Sequence, residues 1–183
     1  GSWVILDPVS GNLWREGSSQ ATKLDISGIA KLQDSTTVKS NVLVADEDGL
    51  WSISDSGAAE RIASASGIAA QPRYVSGEAI AAWVGITDAQ MWTASGGEVA
   101  LELDPAVEDL SNAEPEIRTN GTRALVAERR SGMMWTVPDG KLIPVEQWSL
   151  VDPPKQESGT VVTQDVTEQE PPVAVDDAFG VRA

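Results

Sequence analysis

Short apolar runs alternate with turn signals along most of the chain, and no long helical pattern interrupts them. An apolar strand is typically followed by a turn rich in Asp, Gly or Ser, then by a tryptophan-bearing strand, then by a further turn and strand. Short strands separated by turns every ~8–12 residues are typical of an all-β meander. The D-G, N-G and S-G pairs suit tight hairpins because glycine tolerates a positive φ. The sequence therefore predicts an all-β, antiparallel fold.

The tryptophans mark an internal repeat. Pro72 and Pro115 each lie 20 residues before a tryptophan, and the stretches between align without a gap. Four tryptophans, spaced 37, 41 and 43 residues apart, follow an apolar residue just after a turn and are the predicted structural anchors of the units: Trp14, Trp51, Trp92 and Trp135. Such a period indicates one supersecondary unit repeated in series.

Each full unit is predicted to contain four antiparallel strands, which is typical of a β-propeller blade. Around Trp92 the predicted strands are 72–75, 79–84, 91–94 and 99–103; the neighbouring units supply 41–45, 50–54 and 60–63, and 115–118, 123–127, 134–137 and 141–145. A β-sandwich is the alternative, although it needs no such period. Residues 104–114 are expected to form one short helical turn, with Asp104 as N-cap and Pro105 at the first position.

The expected propeller-like region spans residues 1–148 as three full units and one partial unit. The first unit begins at Trp3 in what is already its second strand. A four-bladed ring closes if residues 160–166 supply the missing strand. Otherwise these are the last blades of a ring of about six to eight, the interpretation we favour.

The amino-acid composition changes after Trp148. Residues 149–172 are polar, acidic and flanked by proline, which indicates a linker. Residues 173–183 are predicted to begin a truncated Ig-like module, since apolar and polar positions alternate over 173–179 after a Pro-Pro pair. Trp148 itself is a candidate partner contact at the edge of the propeller-like region.

The tail sequence PPVAVDDAFGVRA resembles the opening strand of the tandem Ig-like, cadherin-like repeats of bacterial surface proteins. The whole chain is similar to large proteins of high-GC Gram-positive bacteria, in which a membrane anchor and a degenerate propeller precede Ig-like or fibronectin type III modules. The resemblance implies an extracellular or cell-surface location and a role in adhesion or as a scaffold. It also implies a Ca²⁺ site at the module boundary, with Asp176 and Asp177 as ligands.

Composition removes several classes of function. The 183 residues include no His and no Cys, so neither a Ser-His-Asp triad nor a Cys/His zinc site can form. A formal charge of −15 disfavours nucleic acid as a partner, because phosphate binding needs Lys and Arg surfaces. No apolar run approaches the ~20 residues of a membrane span, and no membrane contact is expected within this chain.

The remaining candidates are weighed against structural roles. The repeat tryptophans form either a ligand-binding aromatic ring or packing between blades; we favour packing, and we expect Trp83 in the core. Residues 46–49 (DEDG) resemble a Ca²⁺ loop, but Gly57 stands where a bidentate Glu belongs, which favours a hairpin turn with solvated acids. The four arginines of the fourth unit form either an anion-binding patch or solvated ion pairs: Arg118, Arg123, Arg129 and Arg130.

These observations predict a non-enzymatic extracellular module that binds protein or glycan at the cell surface and has no cofactor of its own. The alternative is a polysaccharide-active enzyme or a carbohydrate-binding accessory module. An exposed tryptophan pair beside convergent carboxylates would favour that alternative. A third hypothesis is a cytosolic propeller domain that binds other proteins.

Overall fold

The structure is a computed structural model that describes residues 3–34 and 41–144. Within these residues there is no helix, and four antiparallel sheets follow one another along the chain. The prediction of an all-β antiparallel fold is therefore confirmed. The described residues do not close into a barrel or a ring.

The first two sheets are simple meanders in which each strand pairs with the next along the chain. Sheet 1 contains β1 (Val4–Leu6), β2 (Asn12–Arg15) and β3 (Thr22–Lys23). Sheet 2 contains β4 (Lys31–Leu32), β5 (Val42–Asp46), β6 (Gly49–Ile53) and β7 (Ala59–Ser64).

Sheet 4 keeps this order, and sheet 3 departs from it only at its edge. Sheet 3 contains β8 (Ile68–Ala69), β9 (Arg73–Val75), β10 (Glu78–Val84), β11 (Ala89–Thr93) and β12 (Gly97–Ala100). β8 and β9 pair with opposite ends of β10, so together they act as one interrupted edge strand. Sheet 4 contains β13 (Pro115–Asn120), β14 (Arg123–Glu128) and β15 (Met134–Thr136). A bridge from Trp135 to Leu142 extends it into the last predicted strand, of which residues 141–144 are described.

The repeat is visible in the register of the sheets. Each repeat tryptophan lies on the strand that follows the apolar strand of its unit, in β2, β6, β11 and β15. The cross-strand partners of the four tryptophans are Ile5, Val44, Ala81 and Val126, in chain order. The tryptophan therefore occupies one equivalent position in every sheet.

Local turn chemistry explains the tight hairpins. Between β9 and β10, Val75 pairs with Glu78, so the loop consists only of Ser76 and Gly77. Both have positive φ angles, 51° and 81°. Two positive φ angles match the twist of a two-residue hairpin, and glycine adopts such an angle without steric cost.

Each sheet has two distinct faces. We call the face that carries the repeat tryptophan and its cross-strand partner the leading face, and the opposite face the trailing face. Because side chains alternate along a strand, Ala79, Ala81 and Trp83 of β10 lie on the leading face of sheet 3, and Ile80 and Val84 lie on its trailing face. Both sets are buried, so β10 lies between two apolar layers.

The core consists of three apolar clusters, each joining the trailing face of one sheet to the leading face of the next. The first joins Leu13 of sheet 1 to Val44 of sheet 2. The second joins Leu43 of sheet 2 to Trp83 of sheet 3, and the third joins sheet 3 to Trp135 of sheet 4. Trp83 is fully buried, which confirms its predicted core position.

The segment between sheets 3 and 4 differs from the prediction. Residues 104–114 form reverse turns rather than a helical turn. Asp104 does cap the first turn, since its carboxylate accepts a hydrogen bond from the Ala106 N–H at 2.9 Å. Leu110 and Ala113 are buried in the third cluster, so the segment uses its apolar residues to cover sheets 3 and 4.

Candidate functional site

A cleft of about 650 Å³ lies where parts of all four sheets converge. Sheet 1 contributes Leu6, sheet 2 contributes Lys31 in β4, and Gln71 comes from the connection between β8 and β9. Sheet 4 contributes β13 with the preceding Glu114. The cleft therefore depends on the packing of four sheets rather than on one local motif.

The carboxylates of this cleft are all ion-paired to arginines. Asp34 pairs with Arg73, and Glu116 pairs with Arg118 at 3.2 Å. Glu114 pairs with Arg130 at 3.0 Å and with Arg129 at 3.8 Å. Each of the three carboxylates therefore has at least one oxygen paired with a guanidinium group.

Lys31 is the cation of the cleft that has no close carboxylate. No carboxylate oxygen of the described residues lies within 4.0 Å of its ammonium group. Burial lowers the pKa of Lys31, and the more distant charge of Glu114 opposes that shift. The cleft thus offers one partly desolvated positive charge.

The predicted arginine cluster divides between two places. Arg129 and Arg130 lie together in the turn after β14, where both pair with Glu114. Arg123 lies at the other end of β14, about 20 Å away at the usual rise of a strand. There it lines a separate cleft of about 720 Å³ with Arg118.

In two sheets a buried carboxylate lies at the end of the strand that precedes the tryptophan strand, a feature that the sequence analysis missed. Asp46, at the end of β5, is fully buried rather than solvated as expected. Its carboxylate accepts hydrogen bonds from the Ser27 N–H and the Trp51 indole N–H, at 3.2 and 3.1 Å. Its backbone carbonyl accepts the Trp83 indole N–H at 2.8 Å. Asp46 therefore links sheet 2 to sheet 3 and to the connection between sheets 1 and 2.

Glu128 holds the equivalent place at the end of β14 and is 1% exposed. Its carboxylate accepts hydrogen bonds from the N–H groups of Glu114, Arg130 and Ser131, at 2.7, 3.1 and 2.6 Å. Burial is the largest influence and raises the pKa of Glu128, but these hydrogen bonds together outweigh it and lower the pKa below 4.5. In sheet 1, Asp7 caps its turn in the same way, with N–H donors from Val9 and Ser10.

The sequence signal for these acids is their spacing. Asp7 and Glu128 each lie seven residues before a repeat tryptophan, and Asp46 lies five before one. In sheet 3 the residue seven before Trp92 is Gly85, whose N–H donates to the Asp88 carbonyl at 2.7 Å, and the register position equivalent to Asp46 and Glu128 is held by Trp83. Three of the four units therefore use a carboxylate to fix the turn that leads into the tryptophan strand.

The repeat tryptophans differ in burial. Trp135 is fully buried, and its indole N–H donates to the Glu102 carbonyl at 2.6 Å. Trp51 and Trp92 are partly buried against the sheet that precedes theirs, and the Arg61 guanidinium stacks 4.7 Å from the Trp51 ring centroid. Trp14 is 36% exposed.

The leading face of sheet 1 is an exposed apolar surface. Besides Trp14, it carries Ile5, 56% exposed, and Trp3, 47% exposed. Trp3 belongs to this face because its carbonyl accepts the Glu16 N–H, which continues the β1–β2 pairing. No sheet among the described residues covers it.

The other predicted site residues lie outside the described part of the chain: Trp148, Asp176 and Asp177, with the predicted linker, strand 160–166 and Ig-like module. Within residues 3–34 and 41–144, no three carboxylates are grouped so that they would hold a metal ion. The same residues include no helix long and apolar enough to cross a membrane. Comparison of the chain with family models, curated proteins and solved structures gave no match.

Proposed function

We propose that this chain is a non-enzymatic structural and interaction module, built from propeller-like blades, of an extracellular bacterial surface protein. The observation that carries the proposal is the serial packing of four sheets, in which sheets 2, 3 and 4 each turn the tryptophan face toward the preceding sheet. Blades of a propeller pack in this face-to-face order, and strands of one blade pair consecutively. The charge of −15 suits a secreted array, because like charges keep neighbouring copies apart.

The cleft shared by the four sheets is the place where such a module would bind a partner. Its carboxylates are paired with arginines, and among the described residues Lys31 adds one cation without a close counter-ion. We infer that it accepts a group bearing a carboxylate, from a protein or an acidic glycan. Lys31→Met should then weaken binding of an acidic polysaccharide such as polygalacturonate, whereas exposed Lys23→Met should leave it unchanged.

The location is tested on intact cells of the source bacterium. An antibody raised against the chain should label them without permeabilisation, and externally added protease should remove the label. A signal that appears only after lysis would contradict the extracellular assignment.

A carbohydrate-binding or polysaccharide-active module is the second candidate. The exposed rings of Trp3 and Trp14 favour it, since flat aromatic faces stack on sugar rings. We expect no release of reducing ends from cell-wall polysaccharides incubated with the purified chain. Release that disappears in Glu114→Gln, and persists in the exposed control Glu98→Gln, would replace our proposal with the enzymatic one.

A further inference from the structure

The uncovered face of sheet 1 has a defined complement in the fold. At each of the three internal junctions, the leading face of one sheet is covered by the trailing face of the sheet before it. These three trailing faces are all lined by apolar side chains at the same positions. That trailing surface comes from two residues of the strand before the tryptophan strand and one of the tryptophan strand itself. They are Val4, Leu6 and Leu13 in sheet 1, Leu43, Ala45 and Leu50 in sheet 2, and Ile80, Ala82 and Met91 in sheet 3.

Sheet 4 presents the same three positions on its own trailing face. The register places Leu125, Ala127 and Met134 there, on the side opposite Val126 and Trp135. Leu125 and Met134 are partly exposed, whereas Ala127 is buried. The last described sheet therefore carries the type of surface that covers a tryptophan face elsewhere in the molecule.

Charge at the two end faces is also complementary. Glu16 lies beside Trp3 and two residues beyond Trp14, at the rim of the leading face of sheet 1, and it is exposed. Arg123 lies two residues before Leu125, at the rim of the trailing face of sheet 4, and it is exposed too. Opposite charges at matching rims favour one orientation of approach.

We propose that a second copy of this chain covers the tryptophan face of sheet 1 with the trailing face of its own sheet 4. The proposal rests on the proposed blade-like packing, which this junction would repeat between chains. The contact is head-to-tail, so two copies close a ring if the rotation allows it and otherwise extend as a chain of copies. Because each copy carries a charge of −15, association should strengthen as salt screens the net repulsion.

The test is analytical ultracentrifugation of the purified chain over a concentration series, at low and high salt. We expect species of at least twice the 19.3 kDa chain mass, with more association at high salt. Ile5→Asp places a charge in the proposed junction and should weaken association by at least about 100-fold. Ile86→Asp is the matched control, because Ile86 is 69% exposed in a turn of sheet 3. This variant should associate like the wild type.

Mixing two blocked variants tests the head-to-tail geometry. Ile5→Asp blocks the leading face of sheet 1, and Leu125→Asp blocks the trailing face of sheet 4. Each alone should remain monomeric, but the mixture should form a one-to-one heterodimer through the single intact junction. Should Leu125→Asp fail to fold, the exposed Arg123→Glu replaces it: this variant should weaken association, and Glu16→Arg in the same chain should restore it.

A folded wild-type chain that stays monomeric at all concentrations overturns the proposal. So does a Leu125→Asp variant that associates normally by itself, because two tryptophan faces would then be covering each other. Circular dichroism and tryptophan fluorescence distinguish this failure from failure of the proposed blade packing. If the blade packing is wrong, Trp135→Ala, which removes a ring buried between sheets 3 and 4, will leave the unfolding curve close to that of the wild type.

Discussion

The buried Glu128 carboxylate offers a sharp test of how the units hold their turns. Glu128→Gln keeps the shape of the side chain but replaces one acceptor oxygen with an NH₂ group that faces a backbone N–H. The variant loses the charge and at least one of three hydrogen bonds. A hydrogen bond to a charged group contributes about 1.5–3 kcal/mol, so we expect the free energy of unfolding to fall by about 2 kcal/mol at pH 7.

The effect should depend on pH in a defined direction. The folded-state pKa of Glu128 lies below its ordinary value of 4.5, so its carboxylate contributes stability that is present above pH 4.5. That contribution is lost as the pH falls through the folded-state pKa. The difference between wild type and Glu128→Gln should therefore be largest near pH 7 and should shrink below pH 4.5.

Urea unfolding followed by tryptophan fluorescence measures both quantities. Glu116→Gln is the matched control, because Glu116 belongs to a solvent-accessible ion pair with Arg118, in which its side chain is 44% exposed. Its effect should stay within about 0.5 kcal/mol. An equal loss in the two variants would refute the reasoning, as would a Glu128→Gln loss that does not change between pH 7 and pH 3.

Three further substitutions test the packing. Trp135→Ala should lower the free energy of unfolding by about 3–5 kcal/mol. Trp14→Ala should lower it less in dilute monomer, because Trp14 is 36% exposed; equal losses in urea titrations would contradict the difference in burial. Trp83→Phe should cost about 2 kcal/mol because it leaves a buried carbonyl without its donor, and an unchanged melting curve would argue against that hydrogen bond. Gly49→Ala should cost at least about 2 kcal/mol, since its Cβ would lie 2.1 Å from a carbonyl oxygen of β7. Gly77→Ala should cost less, because the added Cβ meets nothing within 4 Å. The reverse order of melting temperatures would count against the clash.

The strands were predictable because their signals are local. The pairing of Glu78 with Val75 follows from a Ser-Gly loop, and the predicted strand at 79–84 corresponds to β10. The helical turn predicted for 104–114 was wrong, although Asp104 and Pro105 are a helix-start signal. A segment this short gains little from helix nucleation, and burial of Leu110 and Ala113 against two sheets outweighs it.

The cleft and the faces of the sheets were not predictable, because they depend on contacts between units. Lys31 and Glu114 lie 83 residues apart in sequence, and only the stacking of sheets brings both to one cleft. Asp46 was expected to be solvated because its neighbours are polar. Its burial depends on Ser27, in the connection between sheets 1 and 2, and on Trp83 of sheet 3. The exposure of Trp14 likewise depends on whether another sheet lies against it.

The difference between the two faces of each sheet gives the stack a direction, and this bears on how such a molecule changes during evolution. Every internal junction joins an aliphatic surface to a tryptophan surface. Duplication of a whole unit of about 40 residues would therefore create a new junction of the same kind, and deletion of one would rejoin two compatible surfaces. An insertion of half a unit would instead place two like surfaces together. Length variation among related chains should accordingly occur in whole units, with shorter insertions confined to turns.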